Sequence, residues 1–157
     1  MRRKDREVTD LVKIEEIIAA CECMRLGLND DGKVYIVPVN YGYTCENGMY
    51  TFYVHGAAAG RKYEVIKRSP EIGFELDRNV SIVTADTGCG HTALYQSIIG
   101  NGTASFIENA EEKKAALNLI MKKNTGKDGW EFDPAVLERT CVYKIEVAEL
   151  SCKENAK

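Results

Sequence analysis

Leu11, Ile14, Ile17 and Ile18 recur at helical spacing behind Asp10, which predicts an amphipathic helix capped by that aspartate and ending near Ala20. The period then changes. "CMRLGL" and "VYIVPVNYGY" are strand-like runs divided by Asn29-Asp30-Asp31-Gly32. Asn47-Gly48, a residue pair favoured in two-residue hairpins, separates the second run from "MYTFYVH". Three antiparallel strands are expected. Pro38 has no donor for a ladder, so it belongs at a strand edge or bulge, where neighbouring backbone groups stay free to meet a ligand.

A short helix from about Arg61 to Arg68 is stopped by Ser69-Pro70, after which Ile72, Phe74 and Leu76 alternate with Glu71, Gly73 and Glu75 as in a strand. A further strand is expected over Val80 to Thr84. A long one follows through "YQSIIGNGTASFI", with Gly100 and Gly102 inviting a bulge or sharp bend. Asn109 with Glu112 three residues on forms a capping-box pattern ahead of a helix with a stripe of Leu117, Ile120 and Met121, and Gly126 is its stop. Asp133-Pro134 opens one more short helix before the closing strand "CVYKIEVAEL". Many antiparallel strands, few helices and no βαβ rhythm point to an α+β protein with a curved sheet or barrel.

With 157 residues, 45% of them apolar and 29% charged, the chain reads as one soluble domain over 1–157. No run approaches the roughly 20 apolar residues of a membrane span. The opening "MRRKDREVTD" lacks the apolar core of a secretory signal, so a cytoplasmic protein with reduced thiols is expected. A net charge of −3 with dispersed basic residues argues against a nucleic-acid surface. Cys21-Glu22-Cys23 and Cys89-Gly90-His91 lack the two-residue spacing of zinc knuckles, and no metal site is expected.

The candidate chemistry lies in "YVHGAAAGRKYEVIKRSP", where a strand passes through small residues into a helix opened by Gly60-Arg61-Lys62. The first turn of a helix offers unpaired N–H groups and the positive end of the macrodipole, and two cations reinforce it. Gly56 and Gly60 let the backbone approach a phosphate closely. The plain alternative is a tight turn flanked by exposed cations. A nucleotide-triphosphatase loop is ruled out, because three residues rather than four separate the glycines and Tyr63 follows Lys62. His55 is either a general acid or base or a structural histidine at a strand end.

With these residues placed, the chain resembles the FMN-binding split-barrel family, also called pyridoxamine 5'-phosphate oxidase-like, and within it the nitroimidazole-resistance branch. The resemblance rests on "RRKDREV", "VYIVPVNYGY", "FYVHGAAAGRKYEVIKRSPEIGFELD" and "LYQSIIGNGTASFIENAEEKKAALNLIM", in that order. It implies a mainly antiparallel split β-barrel with flanking helices. By the same resemblance Arg61 and Lys62 hold the FMN phosphate. Pro38, Val39, Asn40 and Tyr41 give main-chain contacts to the isoalloxazine, Gln96 and Ser97 lie on a strand near the ring, and His55 sits beside it. Members of the family are homodimers with flavin sites at the interface, which Trp130 or Phe132 would reach unless they simply pack in the core. The activity implied is reduction of a small electrophile such as a nitroimidazole or other nitroaromatic. A non-catalytic flavin store or redox sensor and a deazaflavin-dependent oxidoreductase remain alternatives. Pyridoxamine 5'-phosphate oxidase activity itself is disfavoured, since no Arg follows Arg139.

Overall fold

The side chain of Asp10 accepts from the Val12 N–H at 2.9 Å and so starts the first helix where the periodicity places it. The computed structural model describes residues 3–156; Met1 and Arg2 of the charged opening, and Lys157, lie outside them. The elements run β1 (Glu7–Val8), α1 (Leu11–Ala20), β2 (Met24–Asp30), β3 (Lys33–Val39), β4 (Tyr41–Glu46), β5 (Met49–Ala57) and α2 (Arg61–Arg68). They continue with β6 (Glu71–Val83), β7 (Thr92–Phe106), α3 (Ala110–Thr125), α4 (Pro134–Arg139) and β8 (Thr140–Asn155). No helix among the described residues is long and apolar enough to cross a membrane.

Two hairpins fix the first half of the sheet. Asp31 and Gly32, at φ 51° and 83°, join β2 to β3, while Asn47 and Gly48, at 53° and 81°, join β4 to β5. Positive φ at both central residues marks the turn whose twist matches antiparallel strands.

The strands pair antiparallel in the order β3-β2-β6-β7-β8-β5-β4, with β1 set against β8. The two ends of this order are consecutive in the chain. Only Asn40 separates β3 from β4, so the sheet must curl until its ends meet there, yet no ladder joins them. The result is an α+β split barrel. Its core gathers Phe52, Tyr41, Phe74, Leu26, Leu76 and Ile98, with the Phe52 ring meeting Tyr41 at 5.7 Å and Phe74 at 5.2 Å, both edge-on.

Two strand expectations are corrected. The run 34–43 is not one strand but two, because the chain changes ladder partners at Asn40 while Val39 and Tyr41 both stay buried. The alternation carries on across the break, which is why the sequence reads as continuous. Conversely, Val80 to Thr84 is not a separate strand; β6 is continuous to Val83 and absorbs an irregularity between Arg78 and Ser81, where Asn79 takes φ 56°. The expected bend near Gly100 and Gly102 is present as a register shift between Asn101 and Gly102 against β8. A Cβ at Gly100 would strike the Glu149 carbonyl and the Phe74 ring, and one at Gly102 the Glu146 carbonyl. The buried stripe of α3 is Ala116, Leu117 and Ile120, with Met121 half-buried.

Candidate functional site

Among the described residues three of the four α-helices carry side-chain caps, from Asp10, Asn109 and Asp133. The exception is α2. Its N-cap is Gly60, at φ 100° and ψ 175°, a region essentially reserved for glycine, and no side chain caps it. The N–H groups of Arg61, Lys62 and Tyr63 therefore have no intrahelical acceptor and point out of the helix start.

The two cations part at this point. Arg61 turns towards the β2–β3 hairpin, where its Nε donates to Asp30 Oδ2 at 2.9 Å and its guanidinium lies 4.2 Å over the Tyr35 ring. Lys62 turns back over β5, its Nζ donating to the His55 carbonyl at 3.0 Å and lying 5.6 Å from the centre of the Tyr143 ring. Gly56 makes that path possible, since a Cβ there would sit 2.8 Å from Lys62 Nζ. Partial burial holds the Lys62 ammonium below its ordinary range. His55 is pushed down by desolvation first and by the Lys62 charge second, although its ring is at the surface.

The 38–41 segment comes alongside, because Tyr41 pairs with Val54 one residue before His55. Pro38 and Asn40 are exposed, and Pro38 lies on edge strand β3. Val39 and Tyr41 point into the core, so only their main chain is available to a ligand. The Tyr41 hydroxyl is spent on the Ile18 and Cys21 carbonyls, at 2.5 and 3.0 Å. Asn40 Nδ2 donates to Asn124 Oδ1 at 3.0 Å.

Gln96 and Ser97 do not join this group within one chain. They pair with Glu154 and Lys153 near the end of β8, whereas His55 pairs with Val142 near its beginning. Gln96 is buried and engaged, accepting from Asn79 Nδ2 at 3.2 Å and donating to Glu154. Ser97 is on the opposite, outer side of β7 together with exposed Ile99. Trp130 is part-exposed, its indole N–H held by the Lys127 carbonyl at 3.0 Å, while Phe132 packs on a small cluster with Leu117 and Val142.

Sequence reasoning missed Asp30, Tyr35 and Arg68, which surround Arg61, and Tyr143, which underlies Lys62. Chemically, the helix start can hold an anion with several acceptor oxygens: its N–H groups are free of intrahelical acceptors, and the half-exposed Arg61 guanidinium and the Lys62 ammonium stand on either side of it.

A family model for pyridoxamine 5'-phosphate oxidase matches residues 10–154. The chain belongs to that family. Among solved structures, a Bacteroides thetaiotaomicron protein provisionally assigned to 5-nitroimidazole antibiotic resistance is 28% identical, with a TM-score of 0.82 over 94% of this chain and 85% of the other. The flavocytochrome Anf3 of Azotobacter vinelandii shares the fold at a TM-score of 0.82 and 19% identity, covering 100% of this chain and 72% of that one. An FAD-binding protein of Mesorhizobium loti shares it at 0.68 and 17%, over 96% and 98%. Comparison with curated proteins gives no match. The family match spans every element of the candidate site, from the β2 hairpin to the start of β8.

Proposed function

We propose that this family member binds FMN with its phosphate at the start of α2 and reduces a small electrophile, a nitroimidazole or other nitroaromatic, as a homodimer. The observation that carries the reading is the uncapped, glycine-led helix start, where Arg61 and Lys62 stand beside free N–H groups. This donor set fits a phosphate monoester in charge and hydrogen-bonding capacity. The main chain at Pro38, Val39, Asn40 and Tyr41 and the His55 ring then flank the space next to the phosphate, where the isoalloxazine would lie. Bound FMN would supply the transfer of electrons from a reduced nicotinamide donor to the electrophile. The chain's own part is to anchor, orient and shield. The nitroaromatic substrate is supported by the 28% identity to the Bacteroides protein.

The homodimer has separate support. Gln96 and Ser97 are at the far end of β8 from His55, so if both groups lie beside one flavin, as the resemblance implies, a second copy would supply one of them. Purified protein should show the absorbance of oxidised flavin near ~450 nm, bleach with NADH or NADPH, and recover its colour on adding a nitroimidazole. Bound flavin without turnover for any donor would leave a store or sensor, and a colourless protein that ignores added FMN would end the flavin reading.

A further inference from the structure

Asp30 ends β2, Tyr35 belongs to β3, and Arg61 and Arg68 are two helical turns apart on α2, so three elements deliver four side chains to one spot. The carboxylate is at the bottom. Asp30 is 19% exposed, against 57% for Arg61 and 47% for Arg68. One carboxylate oxygen accepts from Arg61 Nε at 2.9 Å and the other from Arg68 Nη2 at 2.6 Å. The Arg61 bond runs through Nε, and among the described residues no hydrogen bond engages either terminal nitrogen of its half-exposed guanidinium. Tyr35 supports the flat side of the group at 4.2 Å.

An Arg held by Nε and stacked on one face has less rotamer freedom left to lose when a ligand arrives, yet keeps the two-pronged edge that grips a phosphate. A carboxylate so close would ordinarily repel that phosphate. Arg68 offsets it, and the two arginines hold the Asp30 carboxyl below its usual range, the Arg61 bond contributing most. Asp31 also reaches Arg68, but at 3.4 Å and 84% exposed it is largely screened by water.

We infer that Asp30 and Tyr35 are positioning residues that preset Arg61 as a phosphate fork, and that Arg68 is the counter-charge that makes Asp30 tolerable there. The inference rests on the phosphate reading of the α2 start given above. Without the preset, binding must restrict a long side chain at the moment of contact, which weakens affinity by about three- to tenfold. Only the phosphate feels this, so riboflavin, with the same ring and no phosphate, is the control.

FMN and riboflavin are titrated against the full chain by flavin fluorescence quenching, with thermal unfolding followed alongside. Asp30→Ala should weaken FMN by about three- to tenfold and riboflavin by less than about twofold. Asp30→Asn, which keeps an oxygen for Arg61 Nε, should recover most of the loss, whereas Arg68→Ala should weaken FMN more at low salt than at high salt. In an Arg61→Ala background, Asp30→Ala should leave the ratio of the two affinities unchanged. Tighter FMN binding by Asp30→Ala would show the carboxylate to be a competitor and overturn the inference. So would equal losses for both flavins, or lower thermal stability with an unchanged ratio, since either marks a surface ion pair supporting the fold. A wild-type chain that does not prefer FMN over riboflavin overturns this inference together with the reading beneath it. A preference that Arg61→Ala abolishes and Asp30→Ala leaves intact overturns this inference alone.

Discussion

Arg61 and Lys62 are neighbours in sequence but are held by different parts of the fold, one by the β2–β3 hairpin and the other by β5. This separation assigns His55 a divided role. Its carbonyl anchors Lys62, while its ring makes no hydrogen bond among the described residues. His55→Ala keeps the carbonyl, so the variant should fold and hold FMN within about twofold of wild type while turnover changes by tenfold or more, as for loss of an acid, base or substrate contact. Flavin occupancy after gel filtration, read beside steady-state rates, checks both halves; loss of the flavin would make His55 a binding residue instead. The pH profile adds a sign. Desolvation and then the Lys62 charge depress the imidazole, so the ring takes up its proton at lower pH than an ordinary histidine, and any wild-type advantage that needs the neutral ring should persist to lower pH than a free imidazole would allow. The glycines and cations of this cluster are legible in the chain because their meaning is local: positive φ, a helix start, a charge. Asp30, Tyr35 and Arg68 are not, because nothing near them announces that a hairpin tip will fold onto a helix some thirty residues away.

At the level of elements, the sequence reveals what is repeated within one segment and conceals what depends on partners. Helix starts at Asp10, Asn109 and Asp133 are visible because the cap and the periodic stripe sit side by side. The break at Asn40 is hidden, because periodicity records which face is buried and not which strand supplies the hydrogen bonds. The same holds for β6. Its first half alternates between core and surface, its second half is exposed on both sides, and only the ladder to β7 shows that they are one strand. The bend near Gly102 is intermediate: the glycine suggests it, and the Glu146 carbonyl enforces it. Gly102→Ala would push a Cβ against backbone, 3.0 Å from the Glu146 carbonyl carbon and 3.1 Å from Val147 Cα, with no flexible side chain to yield. We expect about 1 to 3 kcal/mol of destabilisation, measured by urea unfolding, as for overpacking at a tight contact. A variant within ~0.5 kcal/mol of wild type would mean that β7 and β8 can separate there without cost.

At the scale of the whole molecule, the outer face of the split barrel carries exposed aliphatic side chains. Ladder register places Ile36, Gly27 and Gly73 in one row, and Pro38, Arg25, Glu75 and Ile99 in the next, all on the same side of the sheet. Val34, Ile36 and Ile99 are 79%, 62% and 57% exposed, and the two glycines between them leave a flat strip that backbone can approach. A groove of about 630 Å³, lined by Ile99, Asn101, Ala148, Glu149, Leu150 and Ser151, continues the same surface. The exposed aliphatic groups lie at the two flanks of this face, on β3 and β7, with the Arg25–Glu75 ion pair and the two glycines between them. Ser97 shares this side of β7 with Ile99, so whatever covers the face also meets the strand assigned to the flavin ring. If the chain forms the proposed two-fold homodimer, a second copy seated on this face would cover these aliphatic groups and contact the Ser97 strand. Sedimentation at micromolar concentration should therefore give a dimer, and Ile36→Asp should give a folded monomer, because the charge would be buried unpaired in the interface yet solvated in the free chain. The monomer should lose most of its flavin affinity although Arg61, Lys62 and His55 are untouched. A wild-type monomer would remove the proposed dimer, and a monomeric Ile36→Asp variant that binds flavin at full strength would show that each chain completes its own site.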